Sequence, residues 1–283
     1  MRIKLFIAHL IFLIVLLICS AAKAQTFYLG LSGGYHLGNG KVTLGENYTS
    51  SNGIGSSDKV SGSYGEGFHI MGTLGFNLNE NFGLECDVNF IDGRSFETSY
   101  FSSHNNGTGQ LITSQYNLES KTEFTQIVPS FVIRTNWSKV DPYAKVGLIF
   151  GTGTIFYSLV ERDSYDNFES YYELNGGLGI GVKTAIGANV HLNEWISFFG
   201  EFSLNNLSYA PNYGKITSLI ENGAETVDDL SVHEREVEFV DHYNFNYNEN
   251  HQENEPSKAI KTSYPLGSFG LQLGLKIYLN GFE

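Results

Sequence analysis

A serine flanked by glycines is the first feature of this 283-residue chain that could do chemistry. Residues 30–34 read Gly-Leu-Ser-Gly-Gly, which matches the G-x-S-x-G pattern of a hydrolase nucleophile. That pattern requires a sharp turn between a strand and a helix, whereas Ser32 lies in a segment that alternates as a strand with no helix behind it. The context therefore argues against a serine nucleophile here, and His36, His69 and His104 have no spacing that pairs a base with a serine.

A second glycine-rich segment, residues 177–181, reads Gly-Leu-Gly-Ile-Gly and looks like a nucleotide-binding loop. A phosphate cradle requires a helix directly after the glycines, and this segment continues as alternating residues instead. Glycines on one face of a strand make room inside a narrow barrel, which is the simpler interpretation. His233, His242 and His251 do not have a spacing typical of a metal site, so we predict neither a metal nor a cofactor.

Seven charged side chains are predicted to face the inside of a barrel, because they occupy the polar positions of alternating strands. They are Glu85, Asp87, Arg134, Lys145, Lys183, Glu201 and Lys276. Unpaired charges in a narrow interior are costly, so three acids and four bases would pair. We interpret the set as a salt-bridge network that fills the interior and fixes strand register. The alternative interpretation is a charged constriction for a small solute.

The strands that position these charges are marked by alternation of apolar residues with polar residues or glycine. Residues 269–279 are the clearest case, with Phe, Leu, Leu, Leu, Ile and Leu on one face. Together with that segment, eight segments are predicted as strands: 27–37, 70–78, 82–90, 122–135, 144–150, 178–192, 196–204 and 269–279. Pro129 is unusual in a central strand because it has no N–H for the ladder.

The connections between the strands favour a membrane barrel over a soluble sandwich. Short turns alternate with long polar segments: the turns are 79–81, 136–142 and 193–195, and the long segments lie near 39–67, 95–120, 160–172 and 211–258. Short turns at one end and long loops at the other are typical of outer-membrane barrels. Trp137 and Trp195 both lie in short turns, where we predict that they anchor the membrane–water interface, with ordinary turn packing as the alternative.

The N-terminus is predicted to be a cleaved signal peptide. Two basic residues precede an apolar run over residues 5–19, and Ala-Lys-Ala at 22–24 fits the cleavage pattern. Cleavage after Ala24 leaves a mature domain, 25–283, with 14 basic and 30 acidic residues and with Cys86 as its single cysteine. Its acidity argues against nucleic-acid binding. An exported chain without a long apolar helix is either soluble or a β-barrel.

The longest predicted loop is strongly acidic. Residues 211–257 hold eleven acidic and two basic side chains, and aromatic residues at 243, 245 and 247 alternate with asparagines as an extended strand would. A solvated, self-repelling loop is the simple interpretation. The alternative is a functional loop that binds a divalent cation or a basic partner through its carboxylates, although it has no D-x-D-x-D-G calcium pattern.

Several segments resemble a known family: the signal peptide, the opening FYLGLSGGY, the strands TQIVPSFV and PYAKVGLIFG, and the closing FGLQLGLKIYL. Over essentially the whole mature chain, the sequence resembles the outer-membrane β-barrel domain family of Gram-negative bacteria, including PorT-like members and small barrels of the OmpX and OmpA type. The resemblance implies an outer-membrane location. The last strand also resembles the signal read by the barrel-assembly machinery, with Gln272, Gly274, Ile277 and Leu279 at the matching positions.

We therefore predict an all-β fold, a single eight-stranded antiparallel up-and-down transmembrane β-barrel with short periplasmic turns, long extracellular loops and both termini in the periplasm. Eight strands leave an interior just wide enough for side chains, which argues against a general porin. The leading function is a non-enzymatic outer-membrane protein, structural or surface-interacting through its loops. The alternatives are a narrow channel or small-ligand-binding barrel and an outer-membrane lipid hydrolase. Expected partners are outer-membrane lipid and lipopolysaccharide, the barrel-assembly machinery, and a surface or secretion-system protein.

Overall fold

The structure, a computed structural model, describes residues 26–39, 42–105, 110–164, 166–244 and 253–279. The predicted signal peptide, 1–24, and part of the alternating stretch 243–247 lie outside these ranges. Within them, no helix is both long enough and apolar enough to cross a membrane.

Seventeen strands make up most of the described chain. They are β1 (Phe27–Gly38), β2 (Val42–Ser51), β3 (Ile54–Gly62), β4 (Gly67–Asn77), β5 (Phe82–Gly93), β6 (Phe96–Asn105), β7 (Leu111–Arg134), β8 (Val140–Asp163), β9 (Asn167–Asn175), β10 (Gly179–His191), β11 (Ile196–Tyr209), β12 (Tyr213–Glu221), β13 (Ala224–Glu225), β14 (Glu236–Val240), β15 (Ser257–Ile260), β16 (Tyr264–Pro265) and β17 (Ser268–Tyr278). Between β13 and β14 lie a 3-10 turn, Val227–Asp229, and the short helix α1, Val232–Arg235.

Eight of the strands pair in a cycle that returns to its start. Antiparallel pairing runs from β1 through β4, β5, β7, β8, β10 and β11 to β17. Strand β17 then pairs with β1, from Tyr28–Tyr278 to Gly38–Ser268. Each of these strands, together called the ring, therefore has two hydrogen-bonded neighbours.

The ring is apolar outside and polar inside, which is the reverse of a water-soluble protein. On β17, Leu271 and Leu275 expose 63% and 50% of their surface, whereas Gln272 and Lys276 expose 1% and 3%. Successive side chains of a strand point to opposite faces, so the same alternation that turns aliphatic groups outward turns polar groups inward. This pattern suits a surface that contacts lipid rather than water.

The prediction of an all-β chain is confirmed, but eight strands were too few. All four segments predicted as long loops contain strands: β2 and β3 lie within 39–67, β6 and part of β7 within 95–120, most of β9 within 160–172, and β12, β13 and β14 within 211–258. Strands β7 and β8 have 24 residues each, far more than the roughly 9–11 that cross a bilayer. The alternation of apolar and polar residues did not predict these strands, because both faces of a strand can be polar where neither face contacts lipid or a dry core.

The additional strands form a sheet that continues β7 and β8 beyond the ring. This extension sheet has the order β3–β2–β6–β7–β8–β9–β12–β14–β15. Where it joins the ring, buried apolar side chains form a cluster that includes Phe124, Ile155 and Tyr209. At the opposite end, residues 78–81, 135–139 and 192–195 join the ring strands. These connections lie where short turns were predicted, but the predicted turn 136–142 ends inside β8, which begins at Val140.

Pro129 interrupts one ladder of the ring. Pairs between β7 and β8 stop after Ile127–Phe150 and resume at Ser130–Gly147. Proline has no N–H to donate, which accounts for a gap at this point. The strand nevertheless alternates on both sides of Pro129, with Ile127 exposed and Ser130 buried.

Candidate functional site

Six charged side chains meet inside the ring, and five strands supply them. We call this set the ion-pair layer: Glu85 and Asp87 on β5, Lys145 on β8, Lys183 on β10, Glu201 on β11 and Lys276 on β17. Each side chain stands between outward-facing neighbours on its strand, so the alternation of the strand directs it inward. None of the six exposes more than 4% of its surface.

Lys145 lies at the centre of the ion-pair layer. Its Nζ is 2.8 Å from Glu85 Oε2, 3.0 Å from Asp87 Oδ2 and 2.9 Å from Glu201 Oε2. An ammonium group has three donors, which matches the three carboxylates around it. Strands β5 and β11 lie four steps apart in the cycle of eight, so Lys145 links carboxylates from opposite walls of the ring.

Lys183 strengthens the same link from the neighbouring strand. Its Nζ lies 3.1 Å from Asp87 Oδ2 and 3.0 Å from Glu201 Oε1. The Sδ atom of Met71 is a further neighbour at 3.3 Å. Asp87 and Glu201 are therefore each held by two lysines.

Lys276 completes the charge balance in a more aromatic environment. Its Nζ is 2.8 Å from Glu85 Oε1. It also lies 4.8–5.0 Å from the centres of three aromatic rings, those of Tyr28, Tyr143 and Phe199. Three carboxylates and three ammonium groups give the layer no net charge, which matters because an unmatched buried charge is strongly destabilising.

Hydroxyl groups supply further donors to all three carboxylates. The bonds are Tyr28 Oη to Glu85 Oε1 at 2.7 Å, Thr73 Oγ1 to Asp87 Oδ1 at 2.7 Å and Tyr143 Oη to Glu201 Oε2 at 3.0 Å. These donors were missed by sequence reasoning. The signal that could have found the tyrosines is glycine at an inward position, because a side chain at Gly75 would overlap the Tyr28 ring and one at Gly187 would crowd Tyr143.

Arg134 was predicted to belong to this network but lies outside it. Its Nε donates to the carbonyl oxygen of Glu80 at 3.1 Å, in the turn between β4 and β5. Strand β7 ends at Arg134, so the side chain lies at the turn end of the ring rather than at the depth of the layer. Among the described residues, it makes no ion pair with the three carboxylates.

A second polar band, not predicted from the sequence, lies beside the ion-pair layer. The imidazole rings of His36 and His69 stack with centroids 3.7 Å apart, and each residue exposes at most 1% of its surface. Asn89 Nδ2 lies 3.1 Å from His69 Nδ1 and 3.2 Å from Gln126 Oε1. Asn205 Nδ2 lies 3.4 Å from His36 Nδ1. His36 and His69 lie diagonally on the paired strands β1 and β4, so the band follows the wall of the ring. Alternation gives the inward direction of each residue but not the register that stacks the two rings.

Two serines have a feature of a nucleophile, Ser32 in the G-x-S-x-G pattern and Ser197 beside a histidine, and both are buried in strands. Ser32 lies within β1 and exposes 4% of its surface, so it does not occupy the strand-to-helix turn of a nucleophile elbow. A different serine does contact a histidine: Ser197 Oγ is 2.6 Å from His191 Nδ1, across the β10–β11 pair. Ser197 has no exposed surface.

Trp137 and Trp195 are exposed at the short-turn end of the ring, by 62% and 51%. Trp137 lies between β7 and β8, and Trp195 lies between β10 and β11. The Asn193 side chain accepts the Trp195 backbone N–H at 2.8 Å, which holds that turn. Their positions are compatible with an interfacial anchor, and that role stays a prediction.

Two acidic residues beyond β11, Glu225 and Glu234, accept hydrogen bonds from local donors. The backbone N–H of Leu219 and the hydroxyl of Ser218 each donate to Glu225 at 2.8 Å, and these bonds hold the pKa of its carboxyl below the ordinary value. Ser231 likewise donates to Glu234 in a capping box at α1 and lowers the pKa of that carboxyl. Over the ranges that the structure describes, no group of three or more His, Cys, Asp or Glu side chains is arranged so that it could hold a metal ion.

Comparison with known proteins agrees with the polarity and pairing of the ring. The chain matches the family described as "Outer membrane protein beta-barrel domain" over residues 10–233. No curated protein matches the chain. The family match covers most of the sequence, and the resemblance noted in its strands is thereby confirmed. This chain belongs to the outer membrane protein beta-barrel domain family, and it is an integral outer-membrane barrel protein.

Proposed function

We propose that the ring is a closed up-and-down barrel that crosses the outer membrane, with the short turns in the periplasm and the extension sheet outside the cell. The cycle of pairings supports this, because it leaves no ring strand with an unpaired edge in lipid. Short periplasmic turns are the usual arrangement in such barrels. Fractionation should recover the protein in outer membranes, and unheated samples should run differently from boiled ones on gels. Recovery as a soluble periplasmic protein would contradict the proposal.

The leading function is that of a non-enzymatic, non-conducting barrel that acts through the extension sheet, as a structural protein or by binding a surface partner. The observation that carries this proposal is the ion-pair layer, which links opposite walls of the ring through Lys145. A solute would have to break several buried ion pairs to pass, and each broken pair leaves an uncompensated charge.

Planar bilayers test the sealed interior. Purified protein whose insertion has been verified by heat modifiability should give no unitary conductance steps. Frequent steps with the wild-type protein would favour the first alternative, a narrow channel or ligand-binding barrel.

A lipid hydrolase is the second alternative, and the short Ser197–His191 contact is the observation that favours it. A histidine that accepts a serine proton activates the serine as a nucleophile. The complete burial of Ser197 is the observation against it. A fluorophosphonate probe tests this directly: labelling of the folded wild-type protein that Ser197→Ala abolishes would support a hydrolase, and we expect no labelling.

We also propose that export and assembly follow the signals in the sequence. N-terminal sequencing of the protein from membranes should begin at Gln25. The barrel-assembly machinery would read β17, so Ile277→Ser with Leu279→Ser should lower the amount of inserted barrel. Equal amounts of inserted protein would remove β17 as the recognised strand.

A further inference from the structure

A shallow groove lies on the outer surface of the ring, in the half nearer the short turns. It encloses about 710 Å³ and is lined from β7, β8, β10, β11 and β17. Five lining residues form one continuous cross-strand row, in which each is paired with the next: Ile133, Ala144, Ile186, Phe202 and Leu271. The groove therefore crosses five neighbouring strands of the wall.

The groove exists because small residues occupy outward positions beside large ones. Ala144 lies within the row, and Ala188 and Gly200 pair with each other one outward position nearer the turns. Ile186 and Phe202 lie farther from the turns than Ala188 and Gly200, and they expose 64% and 43% of their surface. The outer surface of the ring is recessed at the small residues, and the large residues form the edge of the groove.

We propose that this groove binds one acyl chain of a phospholipid in the periplasmic leaflet of the outer membrane. The proposal rests on the membrane-spanning orientation proposed above. The groove is continuous with the aliphatic outer surface of the ring, so hydrocarbon is the medium that contacts it. Its polar lining lies at the turn end, where Thr135 would be near a phospholipid headgroup.

Van der Waals packing, rather than the hydrophobic effect, would favour binding of an acyl chain in the groove over the rest of the outer surface. In a bilayer, a chain in the groove and a chain in bulk lipid both contact hydrocarbon, so van der Waals packing decides between them. A smooth wall contacts an acyl chain along one side. A groove contacts it along several sides, so the chain makes more of the weak van der Waals contacts. The position near the short turns selects the periplasmic leaflet, and lipopolysaccharide belongs to the other leaflet.

Two glycines allow a matched test of the groove. A Cβ atom at Gly200 would have Leu273 Cδ2 at 3.4 Å as its near neighbour, and one at Gly72 would meet no atom within 4 Å. Both positions therefore accept an outward side chain. Gly72 pairs with Leu31 and Val88 on the other side of the ring and does not line the groove. Gly200→Leu should fill the groove, and Gly72→Leu is its control.

Native mass spectrometry of the three proteins, titrated with phosphatidylethanolamine in detergent, measures the outcome. The wild-type protein and Gly72→Leu should each retain one lipid that Gly200→Leu loses. Heat modifiability verifies a folded barrel in each case, so failure of the barrel proposal is distinguishable from failure of this one. Equal lipid retention by all three folded proteins would overturn the groove as a site. Preferential retention of purified lipopolysaccharide over phosphatidylethanolamine would overturn the assignment to a phospholipid.

Discussion

Carboxylates meet lysines in two regions of this molecule, and the two regions differ in geometry and solvation. In the ion-pair layer, the charged atoms lie 2.8–3.1 Å apart and the side chains expose at most 5% of their surface. Beside β14 and β15, Lys215 lies 3.8 Å from Glu236, and Lys261 lies 3.9 Å from Asp241, whose side chain is 91% exposed. The residue types are the same, so the two regions differ in the distance between the charged atoms and in their access to water.

Water access decides how strictly charges must be matched. An exposed pair contributes about 0.2–1 kcal/mol, whereas removing one member of a buried pair costs about 3–5 kcal/mol. The interior therefore needs its three carboxylates and three ammonium groups in balance, while residues 211–257 carry eleven acids against two bases. The net charge of the chain consequently describes its surface and says little about its interior.

Removing Glu201 should give the largest effect. Glu201→Ala leaves Lys145 and Lys183 short of one carboxylate and Tyr143 without its acceptor. We expect a loss of about 3–5 kcal/mol in the free energy of unfolding, measured by urea titration of the inserted barrel. Asp241→Ala is the exposed control and should change this energy by less than about 0.5 kcal/mol.

A second variant separates lost charge balance from lost packing. Glu201→Gln combined with Lys183→Met removes one charge of each sign, so it should unfold closer to wild type than Glu201→Ala does. A wild-type urea midpoint for Glu201→Ala alone would mean that Glu201 is solvated and that the interior is open. That outcome would erase the contrast between the two regions.

The two kinds of lysine within the ion-pair layer should also differ. Lys145→Met leaves three carboxylates without their shared partner, with an expected cost of about 3–5 kcal/mol. Lys276→Met leaves Glu85 with Lys145 and Tyr28, and places a thioether among aromatic rings, which is favourable by about 0.3–1.5 kcal/mol. Lys276→Met should therefore be the milder variant in the same urea titration. Equal losses would show that each lysine acts only through its charge.

Salt should act on the exposed pair and not on the buried one. The screening length falls from about 10 Å at 0.1 M salt to about 3 Å at 1 M. In double-mutant cycles of urea unfolding, the coupling between Lys261 and Asp241 should therefore approach zero at 1 M NaCl. The coupling between Lys183 and Asp87, whose side chains are 5% and 0% exposed, should persist. Similar salt dependence for both pairs would show that water reaches the ion-pair layer.

The sequence predicts the ion-pair layer better than it predicts the extension sheet, and the reason is the surroundings of the strands. Lipid outside and a narrow interior inside force strict alternation, so the inward direction of Glu85, Lys145 and Glu201 could be inferred from spacing alone. Most side chains of strands β2 and β3 are exposed to water, which removes that constraint. Their segments therefore read as polar loops although their backbones pair over many residues.

Contacts between inward side chains of different strands could not be inferred in the same way. Tyr28 and Glu85 are 57 residues apart, and the pair depends on how far each strand is staggered around the ring. The stack of His36 on His69 and the position of Arg134 at the turn end depend on the same stagger. Period-two alternation gives the face of the strand on which each residue lies. It does not give the position of the residue along the axis of the ring, so the inward residues that meet could not be predicted.

The smallest predicted effect is a local pH dependence at Glu225, on strand β13, which pairs with β12 of the extension sheet. Its carboxylate accepts the backbone N–H of Leu219 and the hydroxyl of Ser218, and both bonds favour the charged form, so the pKa of Glu225 is lowered. A depressed folded-state pKa means that the stabilisation is complete above the ordinary glutamate pKa of about 4.3 and is lost as the pH falls through the lower folded value.

The carboxyl ¹³C shift of Glu225 and the amide shift of Leu219 should titrate together, with a midpoint below about 4.3. Glu225→Gln should abolish the titration seen at Leu219, and a midpoint at or above the ordinary value would contradict the bond. Because this carboxylate is at the surface, the change should stay within the β12–β13 turn and leave the unfolding of the ring unaltered, in contrast to every charge removed from the ion-pair layer.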